Sequence, residues 1–182
     1  APEVFEALVA AAQSLQLPID SHVPLSLRAS YAGPKVDSIE HLRNIELDCA
    51  SNADELHLTR LAKLENPENL SGFELRSSLH KLQRLEAIAN YDEAICTRTM
   101  KTLINTLQVP TLRLNTVTIL PPYEREDWAS AFSRLPLPVQ RDWQEVINRS
   151  RENLDSVDPT FGNWSLFLVG RLHDLGVPIG AG

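Results

Sequence analysis

The sequence predicts an all-α fold: an irregular multi-helix bundle with Pro-rich extended loops and at most a short strand or hairpin near 111–120. Three observations lead there. Apolar residues recur every three or four positions through most of the chain. Several of these runs begin or end on capping residues. Only the stretch TLRLNTVTIL alternates apolar and polar residues as a strand would.

The elements follow in order. Residues 2–17 read as a helix, with Pro2 in its first turn and Val4, Phe5, Leu8, Ala11, Ala12 and Leu15 on one face. Residues 18–36 hold three prolines and Gly33 and lack a sustained period, so they read mainly as loop. Ile19, Val23, Leu25, Leu27 and Tyr31 make that loop too apolar for a free linker, so it should lie packed across the helices. Asp37 and Glu40 have the spacing of a capping box, which predicts a helix through Ile39, Leu42, Ile45 and Cys49. Beyond a break at Ser51–Asn52, Leu56, Leu61 and Leu64 continue to Asn66-Pro67.

The stretch 71–108 holds the longest helical pattern, two consecutive amphipathic helices. Ser71 and Glu74 form a second capping box, and Leu70 and Leu75 a hydrophobic staple. Leu75, Leu79, Leu82, Leu85 and Ile88 share a face, and Asn90 can stop the helix and cap the next. Cys96, Met100, Leu103, Ile104 and Leu107 line the second, which Pro110 ends. Residues 111–120 read as an extended segment or hairpin. Residues 123–135 form a helix with Trp128, Ala131, Phe132 and Leu135 inward. The rigid elbow Leu135-Pro136-Leu137-Pro138 leads into a helix lined by Val139, Trp143, Val146, Ile147 and Leu154. Residues 155–162 are rich in turn formers. The last helix carries Trp164, Phe167, Leu168 and Leu175, with Gly176 as its C′ residue and Val177 touching Leu172 across the cap.

Composition excludes several functions. Hydrophobic residues make up 43% and charged residues 23%, ordinary for one globular domain spanning 1–182. The missing initiator Met implies a domain excised from a longer protein. A net charge of -7 argues against nucleic acid and against anionic membrane surfaces. No apolar run is long enough to span a bilayer.

No cofactor is expected. There is no Gly-rich phosphate loop, no GxSxG, no HExxH and no CxxC, so neither a nucleotide, a hydrolase elbow nor a metal site is indicated. His22, His41, His57, His80 and His173 read as helix-surface or partly buried side chains. Cys49 and Cys96 both fall in apolar helical patterns. A bond between them stays open, but packed free thiols, compatible with a reducing compartment, are the expectation. Cys49 is also weighed as a nucleophile. Its place near a helix C-terminus opposes a thiolate, and His57 or Arg60 could reach it only through tertiary folding.

Two resemblances bear on function. The run LHKLQRLEAIA (79–89), the acidic pair Asp92–Glu93, the helix running to LQV (107–109) and the upstream Cys49 resemble part of the novel E3 ligase family of secreted bacterial effectors. Ser51 stands where that family has an aspartate two residues after its cysteine, so the thioester mechanism does not carry over. In size, helical character and acidic balance the chain is similar to the XL-box type of effector ubiquitin ligase. That resemblance implies a type III effector delivered into the host cell cytoplasm. It would act as a monomer that binds a ubiquitin-conjugating enzyme and ubiquitin and promotes transfer without a catalytic cysteine. Rate would come from positioning. The contact residues expected are Leu135, Pro136, Leu137 and Trp143, an apolar group held stiff by two prolines. The alternative is a non-catalytic helical protein–protein interaction domain using the same anchors or the 18–36 loop.

Overall fold

A computed structural model describes residues 2–117, 119–153 and 158–182. The chain is mostly helical, as expected, but its centre is a small parallel sheet that the periodicity did not announce. Strands β1 (Asp20–Ser21), β2 (Ser38–Glu40) and β3 (Leu107–Val109) lie in the order β1-β2-β3, with Ser38 opposite Asp20 and Leu107, and Ile39 opposite Gln108. The C-terminal segment extends the sheet beyond β3. Gln108 donates to the Pro178 carbonyl at 2.8 Å, and Gly180 donates to the Gln108 carbonyl at 2.9 Å.

The expected capping box at Asp37–Glu40 is thus corrected. The Asp37 carboxylate accepts the Ile19 amide at 2.7 Å, and its carbonyl accepts the Leu107 amide at 2.9 Å. Those bonds join three distant segments, and local helix cannot supply them. The expected strand near 111–120 is also misplaced. Pairing stops at Val109, and α7 (Leu112–Thr116) follows. A three-residue strand with one inward side chain shows no readable alternation.

Parallel strands need long crossovers, and helices fill both. Between β1 and β2 lie α2 (Ala29–Ala32) and a short 3₁₀ turn. Val23, Leu27, Ala29, Ala32 and Val36 are buried there, so the 18–36 segment is packed across the core as expected. Between β2 and β3 run α3 (Ile45–Asp48), α4 (Ala53–Glu65), α5 (Gly72–Ala89) and α6 (Glu93–Thr102). His41, Leu42 and Asn44 all have positive φ, which turns the chain sharply between β2 and α3. Asn44 is buried there and donates to the Val23 carbonyl at 3.2 Å.

The capping box at the start of α5 forms as expected: Glu74 N–H donates to the Ser71 hydroxyl, and the Glu74 carboxylate accepts the Ser71 amide. Asn90 stops α5, but Asp92 caps α6, accepting the Ile95 amide at 2.8 Å. The inward stripe of α5 is Leu75, Leu79, Gln83 and Ala87, whereas Leu82 and Leu85 face solvent. Gln83 takes a core position because it accepts from Arg60 and donates to the Leu56 carbonyl, each at 2.8 Å. Of the stripe expected on the second helix, Cys96, Met100 and Leu103 are buried, whereas Ile104 lies beyond the end of α6 and Leu107 belongs to β3, both exposed.

The cysteine expectation is overturned. Cys49 and Cys96 are joined as a disulfide between the end of α3 and α6. The same seam is stitched by Thr99 Oγ1 donating to the Asp48 carbonyl (2.9 Å), Asp92 N–H to Cys49 (2.9 Å) and Ser51 N–H to Asn90 (2.8 Å). Both sulfurs are fully buried, so position along two helical patterns could not separate a packed thiol from a bonded one. The bond also removes the support that free thiols lent to a reducing compartment.

Helix α10 (Thr160–Asp174) closes the core with Trp164, Leu168 and Leu172. Its end matches the expected cap. Gly176 has φ +75° and donates to His173 at 2.9 Å, and Val177 donates to Leu172 at 3.0 Å. Among helices of the described residues, none is long and apolar enough to cross a membrane.

Candidate functional site

Residues 112–153 build the candidate site. After Pro110, α7 packs against the first turn of α10. A side chain at Gly162 would meet Ile119 Cδ1 at 3.0 Å and the Asn115 carbonyl at 3.1 Å, so glycine is what allows this approach. Pro121 and Pro122 then fix the chain into a 3₁₀ turn, followed by α8 (Trp128–Phe132). Ile119, Leu120, Pro121, Pro122 and Trp128 line a groove of about 780 Å³. Charge enters its lining at Arg113, at Glu124 and at Arg125, which holds Asp127 in a two-point ion pair at 2.8–2.9 Å. That pair lifts Arg125 and lowers Asp127 through the shared hydrogen bonds.

Helix α9 (Leu137–Glu152) stands behind α8. Trp128 stacks on Phe132 with ring centroids 5.6 Å apart and meets Trp143 at 5.9 Å. Trp143 therefore backs the groove through Trp128 without lining it. Leu135, Pro136 and Leu137 lie outside the groove lining. Leu137 is 66% exposed and Trp143 is 42% exposed. The elbow is rigid: the Gln140 side chain donates to the Leu135 carbonyl at 2.7 Å. The helix faces expected inward at Ala131, Leu135 and Val146 are exposed, and only Ile147 of α9 is buried. Leu154 lies outside the described residues.

The irregular Pro-rich segment 119–138 reads from sequence as a place for function and does line the groove, but Ile119, Leu120 and Trp128 could not be singled out as its wall because 111–120 reads as a strand. The signal was Pro121-Pro122 beside exposed apolar residues. The other Pro-rich segment lines a polar cavity of about 540 Å³ with Gln16, Pro18, Lys35 and Asp37.

Cys49, weighed as a nucleophile, has no thiol to offer. The histidines are scattered. His22 and His41 rings sit 5.0 Å apart, His41 Nδ1 meets Thr111 Oγ1 at 2.8 Å, and His173 lies exposed at the end of α10. His57 is shifted down, chiefly by burial and then by Arg28. Among the described residues no group of three His, Cys, Asp or Glu side chains converges as metal ligands would. Comparison with family models, with curated proteins and with solved structures returned no match to this chain.

Proposed function

We propose that this domain is a protein-binding scaffold that takes a partner's apolar side chains into the groove between α7 and α8. The observation that carries the reading is the groove itself. It is preformed, mostly apolar and framed by Pro121, Pro122 and Trp128. Stiff walls lose little entropy when a partner docks, and an aromatic backed by a second aromatic is the kind of anchor that dominates binding energy. Leu120 in the groove lining and Leu137 at the start of α9 are exposed apolar side chains of the same arm.

In its specific form, the resemblance to effector ubiquitin ligases supplies the partner: a ubiquitin-charged conjugating enzyme of the host cell. The domain would hold the thioester near a substrate lysine and contribute positioning alone. A bonded Cys49 is compatible with that mechanism and not with a ligase thioester. The second reading, a non-catalytic interaction domain, is favoured by the same disulfide, because such bonds persist in oxidising compartments and are rare in the cytosol.

In vitro ubiquitination with activating enzyme, ubiquitin and a broad panel of conjugating enzymes separates the two. Chain formation that survives Cys49→Ser and Cys96→Ser but is lost in Trp128→Ala supports the scaffold ligase. Absence of chains across the panel leaves the interaction domain.

A further inference from the structure

A second site is built on α5, away from the groove. Arg76, His80 and Arg84 are four residues apart, so their side chains lie one above another on a single helix face. Helix α5 packs against α3 and α4. Arg43, from the turn before α3, and Arg60, from α4, bring two more guanidiniums close enough for His80 to feel all four. One carboxylate pairs with this group among the described residues. Glu46, itself buried, accepts from Arg84 Nε at 3.1 Å. The Arg84 guanidinium also lies over the Phe161 ring at 4.3 Å, which fixes its plane. Asp48, the next carboxylate, is engaged by the amide and hydroxyl of Ser30, each at 2.8 Å.

The hydrogen bonding is as lopsided as the charge. Arg60 is 1% exposed, and while its Nε donates to Gln83, its Nη2 has no partner. Arg43 Nε and His80 Nε2 are likewise buried without a partner. Buried polar groups and charges are costly unless paired. Three such atoms from three segments, in one cationic cluster, define what would complete it.

We propose that Arg43, Arg76, His80 and Arg84 bind a small phosphate-bearing anion, whose oxygens accept the unpartnered N–H groups and whose charge balances the guanidiniums that Glu46 leaves uncompensated. A phosphate suits the donor set better than a carboxylate. The donors come from α5 and the turn before α3, with Arg60 of α4 beneath them. Tetrahedral oxygens accept from several directions, whereas a carboxylate accepts in one plane. The anion is small because the cations form a partly buried cluster on a chain of net charge -7, which repels an extended polyanion.

Thermal unfolding of the 182-residue domain in inorganic phosphate, against chloride at matched ionic strength, tests this directly. Phosphate should raise the melting temperature saturably, as ligation of the native state requires. Arg76→Gln should weaken phosphate about tenfold, the loss of one charged hydrogen bond. Arg76 is partly exposed, lies over the exposed Phe73 ring at 5.3 Å and makes no ion pair among the described residues, so its loss should leave the fold intact. Trp128→Ala, in the groove, should leave phosphate affinity unchanged, which keeps this site distinct from the docking surface. NMR titration of the unaltered domain gives a readout that needs no variant: phosphate should shift the His80 ring resonances and raise its pKa. Identical effects of phosphate and chloride, or undiminished affinity in Arg76→Gln, would falsify the site. Equal affinity for phosphate and O-phosphoserine identifies the source as free phosphate; tighter binding of O-phosphoserine identifies a phosphorylated side chain.

Discussion

The sheet-centred core and the 112–153 arm treat the same kind of sequence in opposite ways. In the core, nearly every inward apolar residue of α3, α6 and α10 is covered. The backbone of α3 and α6 is joined by hydrogen bonds and by the Cys49–Cys96 disulfide. In the arm, α9 is strongly amphipathic and α7 and α8 carry apolar side chains, yet only Thr116, Pro121 and Ile147 are buried among its described residues. The difference teaches that an apolar stripe states what a helix needs, and tertiary contact states whether it is met. Where it is unmet and the backbone is stiffened by proline, the stripe is free to meet a partner.

The largest test of this contrast is the disulfide. It closes a loop of 47 residues, so Cys49→Ala with Cys96→Ala should cost about 4 kcal/mol by the loop-entropy relation, measured by urea unfolding. A loss below about 1 kcal/mol would show that the seam's hydrogen bonds hold the core without it. Next is Leu168→Ala, deep in the core on α10, which should cost about 3 kcal/mol through lost burial and the cavity left behind. A third effect is spread over pH. Burial, then Arg84, Arg60, Arg43 and Arg76, push His80 down to about 3 from its ordinary 6.5. Between those values the unfolded chain binds the extra proton, so His80's contribution is complete above pH 6.5 and is lost as pH falls toward 3. His80→Gln should flatten that stretch of a stability–pH curve; an unchanged slope would place the titration elsewhere. The smallest stability effect belongs to the arm. Leu137→Ala should change unfolding free energy by less than about 0.5 kcal/mol, since its side chain stands in solvent. A loss as large as Leu168→Ala would break the comparison, because the elbow would then be core.

Legibility followed the range of the interactions. The Ser71–Glu74 box and the Gly176 cap were readable because each closes hydrogen bonds within six residues. The Asp37–Glu40 box had the same pattern and failed, because Asp37 is claimed by Ile19 and Leu107. On α5, Leu82 and Leu85 fit the apolar period as well as Leu79 does. Gln83 took the inward position because Arg60, from another helix, waited there for a partner. The candidate sites divide in the same manner. The stiffness of 119–138 and its aromatic content were visible as prolines and as Tyr123, Trp128 and Phe132. The groove was not, because it needs α7 held against Gly162.

By itself, then, the sequence determined the helical class and the helix ends that cap themselves, since these depend on neighbours along the chain, and the apolar content of 18–36 required that segment to pack. Only the tertiary structure decided the three parallel strands, the Cys49–Cys96 bond and the gathering of Arg43 and Arg60 around the α5 stripe. Each of those joins residues far apart in the chain, and no local pattern records a distance that folding alone closes.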